Sequence, residues 1–392
     1  MRVLFLTPHP LEGASSRYRV LQYLPYLEAQ GVRCTVSPFL SPRFYRIAYQ
    51  PGRWLAKTGY FMLSSLKRLR DLLRSNRYDV VFIHLEAFPI GPPLIEWALA
   101  VTHIPIVFDM DDTIFLSRDS KTNSFINCLR MPQKLPAILR RSRYVITCND
   151  YLRSYVEQCN VHVCVIPTCV DTQQFTVPAQ RPARSRPLIG WIGSHSTAPY
   201  FDILKPVFTQ LAKRYDVTVK IVGAGRPFDL PGVEVIQEPW SLANEVTSFQ
   251  ELDIGVYPLP TTPWALGKAG FKTVQYMAVG VPCVVSDVGR NREIVQDGVN
   301  GFLTHSTDDW VNKLGQLLAD PSLRLRLGLA GRKTVEERFA AQLYVPTYLD
   351  ILRQASSGQA RKIRNPWVWK PPAPLPGRCS ESLGAMSVHR GS

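Results

Sequence analysis

Paired cysteines, acidic charge and long apolar runs are all scarce in this 392-residue chain. Its eight cysteines are scattered with no C-x-x-C pair, and Cys34, Cys148, Cys164 and Cys283 sit in apolar surroundings, as reduced core thiols do. Cys159, His162, Cys164 and Cys169 come nearest to a metal cluster, but they lack the paired ligand spacing of zinc sites and read as core packing. No stretch offers the roughly 18 uninterrupted apolar residues of a membrane span. The opening MRVLFLTP lacks the charged n-region, apolar core and small-residue cleavage site of a signal peptide. It reads as a first buried strand, and the expected location is cytoplasmic.

Acidic side chains number 31 against 46 basic ones, a formal net charge of +15. Residues 1–175 hold 21 basic and 13 acidic groups, residues 176–355 hold 19 and 17, and residues 356–392 hold six and one. Within the first half the excess concentrates between Arg43 and Arg77, where basic residues interleave with Phe44, Tyr45, Tyr49, Trp54, Tyr60, Phe61, Leu63 and Leu66. Two readings stay open: a helix lying peripherally on an anionic membrane surface at its inner face, or a solvated basic face on a helix whose apolar stripe packs inward. No nucleic-acid-binding motif accompanies the charge, so nucleic acid is not an expected partner.

Strand-length apolar runs alternate with helical patterns, which predicts parallel sheets covered by helices on both faces. The runs are Val3–Leu6, Val32–Pro38, Asp79–His84, Pro105–Asp109, Tyr144–Cys148 and Val163–Pro167, then Leu188–Ile192, Val217–Val222, Val233–Ile236, Asp253–Tyr257 and Val281–Ser286. Single helices are expected from Arg17 to the stop at Gly31, over Tyr200–Arg214, over Asp308–Leu318 and Leu323–Ala330, and over Val335–Leu352. Residues 176–187 are rich in proline and arginine and read as a linker. Beyond Ser356 the composition collapses to proline, serine and glycine, the signature of a disordered or peripheral tail over 356–392.

The most informative stretch is WALGKAGFKTVQYMAVGVPCVVSDVGRNREIVQDGVNGFL, from Trp264 to Leu303. Lys268, Lys272 and Gln275 are spaced four and then three residues apart, so on a helix they share one face near its N-terminal end, where backbone N–H groups and the dipole favour an anion such as a diphosphate. The apolar run ending at Asp287 and Gly289 reads as a buried parallel strand delivering a loop to the same crevice. This tract resembles the C-terminal domain of the GT-B glycosyltransferases, specifically the retaining group 1 or family 4 enzymes. Their E-x7-E motif precedes an A-M-A-x-G-x-P-V-V-x-S run, matched here by MAVGVPCVVSDVG. Neither glutamate is present: Gly267 stands at the first position and Gln275 at the second. VIPTCVDTQQF is similar to the segment that closes the family's N-terminal domain.

The resemblance implies an α/β GT-B fold with two facing Rossmann-like domains and an interdomain cleft: an acceptor domain at 1–175, a nucleotide-sugar domain at 188–334, and a helix at 335–355 crossing back. It further implies a hexosyltransferase, retaining and metal-independent, with no cofactor beyond the nucleotide diphosphate sugar as co-substrate. The acceptor would be a saccharide or polyprenyl-linked glycan, in cell-surface polysaccharide biosynthesis. On the donor side, Gly193, Ser194, Ser196 and Thr197 precede a helix whose free N–H groups can hold the leaving phosphate. Ser194 and His195 stand where the family usually has an arginine and a lysine, leaving Lys268 and Lys272 to neutralise charge, Gln275 to reach a ribose hydroxyl, and Tyr276 beside it. Trp240 is either a base-stacking residue or core.

On the acceptor side, Gly13 opens the first loop, and Arg17 and Arg19 follow at its helix start, where an arginine can grip a diphosphate bidentately. Asp109, Asp111 and Asp112 end an apolar strand, at the carboxyl edge where open α/β sheets place ligands. Asp109 or Asp111 takes the place of a family histidine that touches the transferred sugar, with Asp111 or Asp112 as general base or hydroxyl anchor. His84 ends the preceding strand and is a further candidate. VFDMDDTIF also fits hhh-D-x-D-x-T, the nucleophile motif of Mg-dependent haloacid-dehalogenase-type phosphatases, with Asp109 attacking phosphorus and Asp111 as acid/base. The missing glutamates allow a third alternative, a non-catalytic GT-B scaffold.

Overall fold

Each half of the chain folds around one parallel sheet. In the computed structural model, which describes residues 1–116, 131–181 and 184–358, the first sheet runs β2-β1-β3-β4-β5-β6 and the second β12-β11-β10-β7-β8-β9. The first is built from β1 (Arg2–Thr7), β2 (Arg33–Pro38), β3 (Val80–His84), β4 (Ile106–Met110), β5 (Tyr144–Thr147) and β6 (Val163–Val165). The second uses β7 (Leu188–Ile192), β8 (Thr218–Val222), β9 (Glu234–Glu238), β10 (Ile254–Tyr257), β11 (Cys283–Ser286) and β12 (Phe302–Thr304). All the pairings in both sheets are parallel.

The apolar strands are continuous rather than alternating because both faces are covered. In β1, Val3 and Phe5 enter one core while Leu4 and Leu6 enter the core on the opposite face. In β7, Ile189 and Trp191 divide from Leu188 and Ile192 in the same way. The Val345–Ser356 helix returns to the first domain, packing Tyr348, Leu349, Ile351 and Leu352 into its core. There Tyr348 stacks on Tyr23 and Phe82.

Helix boundaries differ from the sequence expectation for one recurrent reason. Three of the five helices expected to run unbroken are split, and the second part carries a proline as its second residue: Pro25 in Leu24–Ala29, Pro206 in Lys205–Leu211 and Pro346 in Val345–Ser356, whereas the helix expected over Asp308–Leu318 runs unbroken as Thr307–Ala319. Proline has no N–H to continue the preceding ladder but is preorganised for a first turn. A 3-10 turn precedes each restart, at Leu21–Tyr23, Ala198–Leu204 and Ala341–Tyr344. The expected helix at Leu323–Ala330 instead runs as Pro321–Arg338. In the linker, Arg181 is anchored by donating to the carbonyls of Leu252, Val279 and Gly280.

The Trp54–Leu73 helix bears out the inward-stripe alternative only in part: Phe61 packs on Phe39 and Phe88, Tyr60 on Phe44 and Leu72 against the core, but most of its apolar side chains face outward. It buries Ser64, Arg68 and Asp71 and leaves Trp54, Leu55, Met62, Leu63, Leu66 and Leu73 exposed, Leu55 at 91%. Arg68 points inward because it donates to carbonyls at the ends of two strands, Ser37 of β2 and Thr7 of β1, beside Asp71.

Candidate active site

The carboxyl ends of the two sheets meet across a cleft of about 420 Å³. The first domain contributes His9 from the loop after β1, Ala14, Ser15 and Tyr18 from the Ala14–Arg19 helix that follows it, and Asp111, Asp112 and Thr113 from the loop after β4. Across the cleft stand Thr197, Tyr257, Lys268, Phe271 and Lys272.

On the second domain the helix expected to carry both lysines is interrupted. A short turn, Pro263–Leu266, is followed by a Gly267–Gly270 loop, and Gly270 at φ +66 starts the Phe271–Ala278 helix. Such a left-handed cap favours glycine. Lys268 therefore lies before the helix and Lys272 in its first turn, yet both still line the cleft. Lys268 Nζ sits 3.4 Å from the Trp264 ring centroid and 3.5 Å from Asp112 across the cleft. Lys272 faces the Tyr257 ring at 5.4 Å, and no carboxylate lies within ion-pair distance of it among the described residues. Burial lowers the Lys272 pKa to about 8, aided by the positive charge of Lys268 and opposed by Glu245. Two cations beside each other, one of them lacking a counter-ion, make a seat for a polyanion.

The remaining donor-side residues are placed unequally. Thr197 lines the cleft. Ser194 and Ser196 bond to each other, and the main-chain N–H of Ser194 donates to Thr197 Oγ1. Gly193 is pressed against Trp191, and this loop leads into a 3-10 turn, not the expected α-helix. Tyr276 is a core residue: it is fully buried and its hydroxyl donates to the carbonyls of Gly190 and Val256, so it does not face a ligand. Gln275 is buried too, donating to the Tyr18 hydroxyl of the other domain at 3.3 Å.

That contact belongs to a clamp between the domains. Arg17 donates to both carboxylate oxygens of Glu245 at 2.8 and 2.9 Å, and Tyr18 donates to Glu245 at 2.7 Å. Arg17, expected to grip an acceptor, is thus committed to closure. Gly267 is a second contact point: a Cβ there would lie 2.0 Å from Thr113 Cγ2, and Asn149 donates to its carbonyl. No side chain fits at Gly267 in this arrangement.

On the first domain the expected site residues form one connected array with most of it behind the cleft wall. Asp109 is fully buried. Its Oδ1 accepts from Arg19 Nη2 at 2.5 Å, and its Oδ2 lies 3.1 Å from Arg19 Nε and 2.7 Å from His84 Nδ1. Burial pushes the Asp109 carboxyl up, but Arg19 and His84 outweigh it and hold the pKa below the usual value. With both oxygens occupied and no exposure, Asp109 cannot attack phosphorus, which removes the phosphatase reading and corrects its expected catalytic role. Arg19 and His84 are likewise buried and do not touch an acceptor. Gly13 packs on His9 instead of lining the cleft.

Asp111 and Asp112 do line the cleft. Asp111 Oδ2 accepts from Ser15 Oγ at 2.7 Å, while Asp111 Oδ1 and Thr113 Oγ1 are buried with no partner among the described residues. Such orphaned polar atoms at a cleft wall are positions a ligand hydroxyl can satisfy. Sequence reasoning missed Ser15, Tyr18 and Glu245, each of which gains its meaning from a partner on another element, so no local signal marks it; it saw Thr113 only as the last residue of the D-x-D-x-T pattern.

Two Rossmann-like domains facing each other across a cleft define a GT-B protein. Residues 18–174 match the family described as Glycosyltransferase Family 4, and residues 186–320 the one described as Glycosyl transferases group 1. The chain belongs to this glycosyltransferase family. It is 26% identical over 219 residues to a D-inositol 3-phosphate glycosyltransferase of Xylanimonas cellulosilytica, covering 49% of this chain and 51% of that one. The chain spans about half the length of the curated relatives it matches. Sucrose-phosphate synthase from Thermosynechococcus elongatus superposes with a TM-score of 0.64 at 16% identity, covering 91% of this chain and 99% of that chain. HepE from Anabaena, solved in complex with UDP and glucose, gives 0.64 at 17% identity, covering 90% and 100%.

Proposed function

We propose that the protein transfers a hexosyl group from a nucleoside diphosphate sugar to a hydroxyl acceptor bound in the interdomain cleft. The observation that carries this reading is Lys272, whose ammonium faces the cleft beside Lys268 with no carboxylate in ion-pair distance among the described residues. As the diphosphate departs, fixed positive groups aimed at it stabilise the charge that develops, which is where electrostatic catalysis contributes most. In this scheme the two lysines do the neutralising without a metal ion, and configuration is retained, as the family resemblance implies. Asp111, with one oxygen unpartnered, accepts a hydrogen bond from the acceptor hydroxyl. HepE has also been solved in complex with UDP-glucose, a nucleoside diphosphate sugar of the class proposed.

The acceptor is a saccharide or polyprenyl-linked glycan presented at an anionic membrane face, in cell-surface polysaccharide biosynthesis. What supports the membrane is the Trp54–Leu73 helix, whose exposed leucines sit among Arg53, Lys57, Lys67 and Arg70, a composition suited to an interfacial helix. No helix of the described residues is long and apolar enough to cross a membrane.

Calorimetric titration with UDP, GDP, ADP and dTDP in EDTA tests the donor site. Saturable binding of one nucleotide, weakened by Lys272→Met, is the expected result. Binding that needs a divalent cation would overturn metal independence, and no binding by any of the four would overturn the donor site.

A further inference from the structure

Two acid–base groups reach the same hydroxyl. Ser15 Oγ lies 2.7 Å from His84 Nε2 and 2.7 Å from Asp111 Oδ2. A hydroxyl has one hydrogen to give, so only one of these bonds can use it and the other must bring its own proton. Behind His84, Asp109 is a carboxylate held by Arg19, and His84 Nδ1 therefore carries a hydrogen donated to it. If Nε2 is also protonated, it donates to Ser15 Oγ and Ser15 donates to an ionised Asp111. If Nε2 is bare, Ser15 must donate to it and Asp111 must be protonated. Either way one further proton is held jointly by His84 and Asp111, passing through Ser15.

We propose that this proton rests on His84, so that Arg19, Asp109, His84 and Asp111 form an array of alternating charge whose last member, Asp111, faces the cleft as a carboxylate and takes the proton of the acceptor hydroxyl. This step rests on the transferase reading and takes place on the face of the sugar from which the diphosphate leaves, so that configuration is retained. The acceptor oxygen bonds to the anomeric carbon and its proton passes to Asp111 Oδ1. The bond between that carbon and the diphosphate oxygen breaks, and the electron pair leaves with the nucleoside diphosphate. Ser15 and His84 act through Asp111 as positioning residues: they hold Asp111 Oδ2 and keep its charge compensated, leaving Oδ1 for the acceptor. Arg19, His84 and Asp109 are almost inaccessible and Asp111 is half-buried at the cleft, and burying three ionisable groups is costly unless each is paired. The other groups facing the array do not supply the proton. Burial pushes the Cys148 thiol up to about 12 as it donates to the Asp111 carbonyl, and burial likewise keeps the Tyr348 hydroxyl, bonded to the Arg19 carbonyl, in its neutral form. At the cleft side, Lys268 pairs with Asp112 and Lys134 with Glu86, and Lys272 stands across from them.

The test is long-range proton–nitrogen NMR of the full chain labelled with nitrogen-15 in its seven histidines, near neutral pH and without substrate, with His84 assigned by its loss in His84→Gln. The expected result is an imidazolium pattern for His84, lost in Asp111→Asn and in Ser15→Ala while the other histidines stay in place. A neutral His84 in the wild type, or an imidazolium unchanged in both variants, overturns the proposal. Ser15→Ala removes only a half-buried hydroxyl, so it decides the matter if Asp111→Asn does not fold. A protein with the expected His84 pattern that binds none of UDP, GDP, ADP and dTDP keeps the shared proton and overturns the transferase reading, so the two failures are distinguishable.

Discussion

The two walls of the cleft are built on opposite plans. On the first domain nearly every charge is matched: Arg19 with Asp109, Asp109 with His84, His84 through Ser15 with Asp111. On the second, Lys272 and Lys268 stand together, and the fold lowers the Lys272 pKa to about 8 by burial and by Lys268 instead of supplying an anion. A fully paired network fixes geometry, because each member has few alternatives once buried. An under-neutralised cation pair stores affinity for a ligand that brings its own negative charge. Under the proposed function, the first wall orients and the second binds.

If that division is right, variants on the two walls separate kcat from donor affinity. The largest effect is expected at Asp111. Asp111→Asn keeps the shape and the contact with Ser15 but removes the proton acceptor, and general-base removal costs about 10²–10⁴-fold in rate. Steady-state kinetics with calorimetry on the same sample should show that loss in kcat with nucleotide affinity unchanged. An equal fall in affinity would erase the distinction between the walls. Next comes Lys272→Met, which removes a charge-assisted contact of about 1.5–3 kcal/mol. Roughly a 10- to 150-fold weaker nucleotide Kd is expected, with a smaller effect for Lys268→Ala because Lys268 is already shared with Asp112 and Trp264.

Lys272 also sets a pH dependence with a defined sign. A polyanion favours its protonated form, so binding raises the Lys272 pKa from its free-state value of about 8. Nucleotide affinity should be flat below that value and fall as pH rises through it. Titration at pH 8 in buffers of different ionisation enthalpy should show proton uptake, absent in Lys272→Met. Proton release in its place would mean that the lysine is not at the anion.

How much of this was legible in the sequence depends on the range of the interaction. The strands were legible because β1, β3, β4 and β7 are buried on both faces and so spell themselves as uninterrupted apolar runs. Helix ends were not, because a proline inside a helical pattern can be read as a tolerated first-turn residue of one helix or as the restart of a second. Lys268 and Lys272 were found by a spacing argument whose premise, one continuous helix, fails at Gly270, although the loop still brings both to the cleft. Asp109, Arg19 and His84 were singled out as groups meeting a ligand, and they meet each other: sequence marks a chemically loaded residue but not which side of a strand end it faces. Ser15 and Glu245 carried no mark at all, since their partners lie 69 and 228 positions away.

The smallest expected effect tests why the second wall departs from the pattern it resembles. The resemblance places a glutamate at position 267, yet a single Cβ there would overlap Thr113 Cγ2 at 2.0 Å. Overpacking of this kind costs about 1–3 kcal/mol, and here the contact lies between domains, so the domains can part to relieve it without unfolding. Gly267→Ala should therefore loosen closure more than it lowers the melting temperature: nucleotide affinity falls modestly, and small-angle scattering of the nucleotide-bound protein shows a larger radius of gyration. Thr113→Ser deletes the offending methyl and keeps the hydroxyl. Combined with Gly267→Ala, it should restore affinity toward wild type, a coupling that neighbours in contact show and independent sites do not. Additive losses in the double variant would mean that Gly267 is glycine for its backbone alone, and that the approach of the two walls is not what excludes the glutamate.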